Sequence, residues 1–568
     1  MVNKEGRTQK QQYITRKGEL WQERATWVSQ WQDISRYLLP RNGRFLVTDR
    51  NRGEKRHNAI FDSTGTRALR VLAAGLMAGM TSPARPWFRL ATTDKELMEF
   101  APVKVWLDDV TKLMRDIFAR SNTYRSLHMV YEELGGFGTA ATVILPDYET
   151  VIHHYPLTVG EFAIATNHKG EVDTLYREFE LTVASMAKQF GIKALSPTVK
   201  NLYDQGRLDT WVPISHCIEA RADRDMRPGY RRLARNLPFA SHYFESGSDK
   251  AGNSDDSFLR VSGFKRFPTL APRWAATGGD IYGNSPGMEC LGDIKQLQHQ
   301  QFRKGQGIDY MVKPPVQMPP GMKGVELNSL PGGVTFVDPA SVGGMKNAFE
   351  VKLDLSHLML DIQDVRQRID ETFYKQLFTR VIMDQRNDRA TAREIAEAHE
   401  EKLLMIGPVL ERLHNELLKR KIDVTFDEMV EAGIVPPPPQ EMQSQELNVE
   451  FISMLAQAQR AVGTGALDRF VGSLGVIAQM KPGVLDKFDE DQWADEYSDM
   501  LGVDPSVIVA DDRVAIVRKQ RAALAQQQVQ QQQVAQAAET AAKLASAKTN
   551  EPNALTDTIS HFSGYGAG

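Results

Sequence analysis

The sequence lacks the features that mark a membrane, disulfide-stabilised or metal-binding protein. Its 568 residues include only two cysteines, Cys217 and Cys290, which offer neither a disulfide framework nor a metal-ligand spacing. No window approaches about eighteen uninterrupted apolar residues, and the N-terminus lacks the apolar core of a signal peptide. We therefore predict a protein of a reducing compartment, with no membrane contact, no metal and no cofactor.

A large net charge of one sign is also missing. The chain has 69 basic and 72 acidic residues, which gives a formal charge of -3. Because tight nucleic-acid binding depends on neutralised phosphates, this balance argues against a protein that holds nucleic acid strongly. Cations outnumber carboxylates between Arg36 and Arg70, which indicates either a solvated or subunit-contacting face or a local phosphate-binding patch.

Catalytic signatures are absent or fail on chemical grounds. There is no phosphate-binding Gly-x-x-x-x-Gly-Lys loop, and His153 and His154, a pair without further ligands, are predicted on a surface strand. Residues 283–287 match the Gly-x-Ser-x-Gly elbow of hydrolases. However, Pro286 follows Ser285 and has no N–H for an oxyanion hole. A helix cap explains Ser285 better, so no catalytic residue is predicted and a serine hydrolase is only a remote alternative.

Two predicted helices enclose a segment rich in proline and glycine, and the rest of the chain is organised around them. The first begins after Ser285 and ends at residues 305–307. The second has apolar residues at steps of three and four from Asp354 to Phe378, a rod of roughly 37 Å. Because its apolar stripe is narrow, we expect it to pack along one seam, with the enclosed segment as a projecting tip.

The residues before this stretch predict an N-terminal helix and an α+β domain. Residues 8–39 and 105–119 have helical periodicity, whereas residues 161–165 are typical of a strand that turns at residues 167–170. Small residues in the run 69–83 permit close helix packing.

The residues after the second rod change in composition three times. A polar segment at 384–390 precedes a long helix, which Gly407 and Pro408 should bend or break. Four prolines at 436–439 indicate a stiff spacer and a domain boundary, beyond which helical runs alternate with glycine breaks. Residues 511–548 are rich in Gln and Ala, a composition that should be helical only where neighbouring copies pack beside it.

Several short runs together resemble the head-to-tail connector, or portal, proteins of short-tailed, T7-like bacteriophages. These runs are residues 37–40, 60–66, 69–83, 86–90, 136–140 and 176–182. They are specific as a set, although each piece alone would be weak evidence. The resemblance covers most of residues 13–420.

The resemblance implies a multidomain α+β portal fold with long stem helices, a small β-containing clip, an α/β wing, a helical crown and a C-terminal helical barrel. Its parts correspond to a wing at 1–279, stem helix 1 at 280–307, a clip at 308–350, stem helix 2 at 351–380, a tunnel loop and long kinked helix at 381–435, a crown at 436–510, a barrel at 511–548 and a disordered tail at 549–568.

The function implied by the resemblance is a dodecameric ring channel at one capsid vertex of the virion. Double-stranded DNA of any sequence would be packaged, retained and ejected through it. The implied partners are further copies of the chain, the terminase large subunit, a tail adaptor, the major capsid and scaffolding proteins and internal core proteins, with assembly in the host cytoplasm. A non-channel scaffold or tail protein, assembled through the Gln-rich C-terminus, is the alternative.

The same resemblance supplies the candidate site residues. They are Gln385, Arg386, Asn387 and Arg389 in a DNA-facing tunnel loop, Lys304 in the channel lining, and Pro314, Pro315, Pro319, Pro320 and Gly321 in the clip that docks motor and adaptor. From the residues alone, the tunnel loop is equally explained as an ordinary polar connection between two helices.

Overall fold

The computed structural model mixes helices with several sheets and divides into two compact units, Met1–Leu467 and Asp468–Gly568. The residues that it describes are 8–49, 53–94, 97–98, 100–222, 224–225, 227, 229–230, 233–247, 258–312, 316–317, 346–347, 356–384, 404–442, 447–481, 483–484, 488–501, 509 and 511–545.

The helices account for most of the regular structure. In chain order they are α1 (Gln9–Tyr37), α2 (Thr64–Met80), α3 (Ala101–Arg120), α4 (Thr123–Phe137), α5 (Val183–Phe190), α6 (Pro197–Asp204), α7 (Pro286–Glu289), α8 (Leu291–Val312), α9 (Ser356–Thr372), α10 (Lys375–Asp384), α11 (Arg420–Glu431), α12 (Met454–Met480), α13 (Glu490–Leu501) and α14 (Asp511–Ala545). Residues 404–413 are also helical and continue through a π-helical segment, His414–Lys419, into α11.

The strands within the described ranges form four antiparallel sheets. They are β1 (Phe88–Thr92), β2 (Ala141–Asp147), β3 (Val151–Leu157), β4 (Phe162–Thr166), β5 (Val172–Thr182), β6 (Trp211–Ala220), β7 (Phe239–Glu245), β8 (Arg260–Phe264), β9 (Thr269–Leu270), β10 (Val316–Gln317), β11 (Lys346–Asn347) and β12 (Leu447–Phe451). The largest sheet has the order β4-β5-β6-β7-β8, a second has β3-β2-β9, and β1 pairs with β12 and β10 with β11.

The core of the first unit is built around α2, because small residues let neighbouring helices approach closely. A Cβ atom added to Gly75 of α2 would overlap the buried ring of Phe378 on α10. One added to Gly135 of α4 would lie 2.5 Å from a methyl group of Leu69 on α2. The close packing predicted for residues 69–83 is therefore confirmed.

Three local predictions for the N-terminal half are confirmed, and one is wrong in part. The helix predicted at residues 8–39 forms as α1, and the Thr8 hydroxyl caps it by accepting the N–H of Gln11 at 3.2 Å. α3 forms, and the Asn167 side chain organises the β4–β5 turn by accepting the N–H of Lys169 at 2.9 Å. His154 lies on β3 as predicted for a strand, but it is buried rather than on the surface.

The two long helices differ from prediction at their ends. α8 continues through Gly305 and Gly307 to Val312, since each glycine costs a helix only about 1 kcal/mol relative to alanine. The second rod is not one helix: it breaks between α9 and α10, where Tyr374 adopts a left-handed backbone with φ 52°. The break lets Phe378 turn into the core against α2 instead of continuing along α8.

The predicted domain boundary at the prolines does not coincide with the edge of the first unit. The Trp106 indole donates to the Pro436 carbonyl oxygen at 3.0 Å, which fixes the proline segment to α3. Beyond it, β12 pairs with β1 in the register Leu90–Val449, and Arg89 forms an ion pair with Glu450. The chain therefore returns to the N-terminal half before the boundary at residue 467.

Helices in the C-terminal third are more continuous than predicted. Residues 404–431 are helical through Gly407 and Pro408, so the predicted break is absent there. α12 likewise runs through its glycines. The Gln/Ala-rich α14 is helical and its described side chains are almost all exposed, so its packing against neighbouring copies stays a prediction. None of the described helices combines the length and apolar composition needed to cross a bilayer. The predicted disordered tail at 549–568 lies outside the described residues.

Candidate functional site

The serine of the hydrolase-like motif is a helix cap. The fully buried Ser285 hydroxyl donates to the Gly136 carbonyl oxygen at 2.8 Å and accepts the N–H of Met288 at 3.0 Å. The hydroxyl thus both donates and accepts a hydrogen bond within the fold, and Pro286 occupies the first turn of α7. Within the described ranges, no three His, Cys, Asp or Glu side chains are grouped to hold a metal ion.

The helix pair α8–α9 is joined to the core at a buried carboxylate, Asp62. This carboxylate accepts hydrogen bonds from the Thr64 N–H at 2.8 Å, the Gln301 amide at 2.9 Å and the Arg366 guanidinium at 2.6 Å. The Gln298 amide oxygen accepts the Asp62 N–H at 2.8 Å, and its nitrogen donates to the Asp62 carbonyl oxygen at 2.9 Å. Asp62 thus holds three elements in place relative to each other: the start of α2, the helix α8 and the helix α9.

The surroundings of Asp62 favour its charged form. Burial alone would raise the pKa of this carboxyl, but hydrogen bonds from Thr64 and Arg366 and the charge of Arg366 keep it below the ordinary 3.8. Because the folded-state pKa is lowered, the stabilisation is present above pH 3.8 and is lost as the pH falls through the lower folded value.

α8 and α9 contact each other along their length, and each exposes a stripe of side chains. An ion pair of 3.3 Å joins Arg368 to Asp293, and further along the Lys304 ammonium lies 3.1 Å from the Met359 sulfur. Each helix buries one stripe and exposes the opposite one. The exposed stripes, which we call the outer face, comprise Gln296, His299 and Arg303 of α8 and Leu360, Asp364, Gln367 and Glu371 of α9.

Most of the predicted site residues fall outside the described part of the chain. This applies to the tunnel-loop residues Gln385, Arg386, Asn387 and Arg389 and to the clip residues Pro314, Pro315, Pro319, Pro320 and Gly321. Lys304 is described: it is half-buried between α8 and α9, beside the outer face rather than in its exposed stripe. Its role in a channel lining stays a prediction.

A second buried carboxylate, Glu133 of α4, ties the turn after α1 to the segment before β4. Its Oε1 accepts the Asn42 amide at 2.8 Å and the Thr158 hydroxyl at 2.7 Å, and its Oε2 accepts the N–H of Val159 at 3.4 Å. Complete burial raises the pKa of Glu133 to about 7, with a smaller contribution from Glu161, against the lowering effect of these hydrogen bonds.

Glu133→Gln should remove a pH dependence of stability. A carboxyl whose folded pKa is raised from 4.5 to about 7 stabilises the fold below pH 4.5 and loses that contribution as the pH rises through about 7. The loss is roughly 3 kcal/mol at about 1.4 kcal/mol per pKa unit. Urea unfolding at pH 5 and pH 8 should show a smaller difference for Glu133→Gln than for the wild type or the exposed control Glu149→Gln. Parallel pH dependences in all three would contradict this assignment.

Comparison with known sequences gives matches over almost the whole chain. Residues 10–509 match the family model described as bacteriophage head to tail connecting protein. The "Probable portal protein" of Bordetella phage BPP-1 is 57% identical over 559 residues, covering 98% of this chain and 99% of the relative. The "Portal protein" of Salmonella phage epsilon15 is 42% identical over 553 residues, covering 97% and 98%.

Comparison with solved structures gives weaker similarities. A chain of "Virion of native gene transfer agent (GTA) particle" matches with a TM-score of 0.31 and 10% identity, covering 84% of this chain and 99% of that chain. A chain of "Neck of native GTA particle computed with C12 symmetry" matches with a TM-score of 0.31 and 12% identity, covering 73% and 87%. TM-scores this low support no structural argument.

Proposed function

Because the chain belongs to the bacteriophage head to tail connecting protein family, we propose that it forms a ring channel at one vertex of a phage head. The family consists of structural proteins and not of enzymes. In the proposed assembly, twelve copies surround a channel through which double-stranded DNA enters during packaging, is retained, and leaves on infection. The protein would assemble in the host cytoplasm and reside in the virion at the portal vertex.

The outer face of α8 and α9 is the observation that carries this proposal. A channel surface has to be exposed in the single subunit, polar, and close to neutral, because strong phosphate binding would stall a sliding duplex. The outer face is exposed, mostly polar, and carries Arg303 against Asp364 and Glu371. We propose that it lines the channel, with Arg303 as a transient phosphate contact and Lys304 at its margin.

The dimensions of a twelve-membered ring agree with this role. If α8 of each subunit lies innermost, twelve helices packed at about 10 Å spacing give a circumference of roughly 120 Å and a diameter through the helix axes of about 38 Å. Subtracting about 10 Å for helix thickness leaves roughly 28 Å. A B-form duplex with a diameter of about 20 Å therefore fits through this opening without close contact to the wall.

The remaining parts of the chain are assigned within the same proposal. The stem comprises α8 and α9, and the clip is the segment between them, with Pro314, Pro315, Pro319, Pro320 and Gly321 at the docking surface. The terminase large subunit would dock there during packaging, and the tail adaptor afterwards. The Gln/Ala-rich α14 would join a barrel, and capsid, scaffolding and internal core proteins would contact the ring inside the head.

Replacing Arg386 and Arg389 together with alanine should leave ring assembly intact and lower DNA retention several-fold. The physical reason is the loss of two sequence-independent phosphate contacts in the proposed tunnel loop. Nuclease-protected DNA per particle measures retention, and electron microscopy of the same preparation checks the rings. Arg227→Ala, at an exposed arginine paired with Asp225, is the matched control. If the double variant formed no rings, the loop would have a structural role. If the rings formed and DNA retention were unchanged, the loop would not face DNA.

A further inference from the structure

A large groove beside β5 contains a buried arginine that has no carboxylate partner. The groove has a volume of about 1150 Å³, and its walls include the aromatic side chains of Trp21, Phe45, Tyr155, Phe179 and Trp211. Arg177 of β5 lines it and is only 7% exposed. In the part of the chain that the structure describes, Arg177 forms no ion pair. We call this surface the β5 groove.

The Arg177 guanidinium is held in place from the side of the sheet. Its Nε donates to His216 Nδ1 at 3.1 Å, and the other ring nitrogen of His216 lies 2.9 Å from the Ser241 hydroxyl. Burial, and next the charge of Arg177, hold the pKa of His216 well below its usual range, so this ring is a neutral acceptor. The guanidinium also lies 4.5 Å from the centre of the Phe179 ring. The Nε is therefore occupied, whereas the two terminal nitrogens have no hydrogen bond among the described residues.

Two other pairs of charges at the β5 groove are compensated. Arg44 pairs with Glu161 at 2.5 Å, and Glu178 pairs with Lys17 at 2.6 Å. Glu180 also lines the groove and has an interaction of its own. A buried cation without a counter-charge is unfavourable, and planar guanidinium groups suit bidentate carboxylates. The two terminal nitrogens of Arg177 therefore suit a carboxylate ligand.

We propose that the β5 groove docks a segment of another virion protein, whose Asp or Glu side chain pairs with Arg177 between flanking apolar side chains. Arg177 supplies the charge complementarity, and the aromatic walls supply apolar contact area. The groove, at about 1150 Å³, is slightly larger than the roughly 300–1,000 Å³ of small-molecule pockets and has room for several side chains of a protein segment.

The carboxylate requirement is tested with two probes of the same shape, 3-phenylpropionate and 3-phenylpropionamide. Saturation-transfer NMR on the purified protein should give at least a threefold stronger signal for the carboxylate. Arg177→Gln should abolish this preference, whereas the exposed control Arg227→Gln should keep it. Thermal unfolding checks that Arg177→Gln is folded, and Arg177→Lys, which retains the charge, should keep part of the preference. Equal signals from both probes, or a preference that survives Arg177→Gln, would overturn the proposal.

The source of the segment is tested in assembled particles. Leu46, which lines the groove and is 70% exposed, is replaced by the photoreactive residue p-benzoylphenylalanine. Irradiation should link it to a different virion protein, at a peptide with Asp or Glu beside apolar residues, and Arg177→Gln should lower the yield at least threefold. A link to a second copy of this chain, a yield independent of Arg177, or no link at all would overturn the docking proposal.

Discussion

A Gly75→Ala variant should lose at least about 3 kcal/mol of unfolding free energy, although the change adds a single methyl group. At most helix positions this substitution stabilises by up to about 1 kcal/mol. At Gly75 the added Cβ would overlap the ring of Phe378, which is fully buried, so the ring or the two helix backbones have to move apart. Overpacking in a dense core typically costs about 1–3 kcal/mol, and a contact with backbone-anchored atoms costs more.

Chemical denaturation measures the loss of unfolding free energy in Gly75→Ala and compares it with a second glycine-to-alanine variant. Gly18→Ala adds a methyl group to α1, where nothing lies within 4 Å, and should be neutral or slightly stabilising. The double variant Gly75→Ala with Phe378→Leu should recover part of the loss, because the smaller side chain makes room and couples the two sites. If Gly75→Ala behaved like Gly18→Ala, α2 and α10 would not be in close contact.

Asp62→Ala should weaken the attachment of the helix pair α8–α9 to the core. Its effect should be larger than that of any other single carboxylate substitution in this region. The substitution leaves Gln301 without its acceptor and Arg366 without its counter-charge. Removing one partner of a buried pair costs about 3–5 kcal/mol, but Arg366 is partly exposed and can turn to water. We therefore expect a loss of about 2–3 kcal/mol.

Amide hydrogen exchange locates the Asp62 effect. Protection should fall throughout α8 and α9, whereas the core around α2 and α4 should be less affected. Asp364→Ala removes an exposed carboxylate of α9 whose ion pair among the described residues is with Arg368 one turn away, and should cost less than about 0.5 kcal/mol. Equal effects of Asp62→Ala and Asp364→Ala would show that Asp62 does not join the helix pair to the core.

Local sequence signals predicted the local structure well, because their physical causes lie within a few residues. The helix at residues 8–39, the Ser285 cap, the Asn167 turn and the close packing at Gly75 all follow from side-chain periodicity, backbone hydrogen bonding or side-chain size. Helix ends were predicted less well. Glycine weakens a helix without ending it, as α8 shows, and nothing in the periodicity marks the left-handed Tyr374 that separates α9 from α10.

Features that depend on distant residues could not be read from the sequence. The pairing of β1 with β12 joins Leu90 to Val449, and the Asp62 hydrogen bonds join the start of α2 to Gln298 and Arg366. Asp62 does lie in one of the runs that resemble portal proteins, as does Arg177, but the motif gives no indication of either partner. Gln298 occupies a position in the buried stripe of α8, where an apolar side chain is expected. Its polar side chain is explained by its hydrogen bonds to the Asp62 backbone, which the sequence does not reveal.

The central claim is a ring channel lined by the outer face of α8 and α9, and electron microscopy of the purified protein tests it most directly. We predict closed rings of twelve copies with a central opening of roughly 28 Å, with Gln296, His299 and Arg303 facing the opening. Monomers, filaments or discs without an opening would contradict the channel. Rings whose opening is bordered by other elements would contradict the role of the outer face.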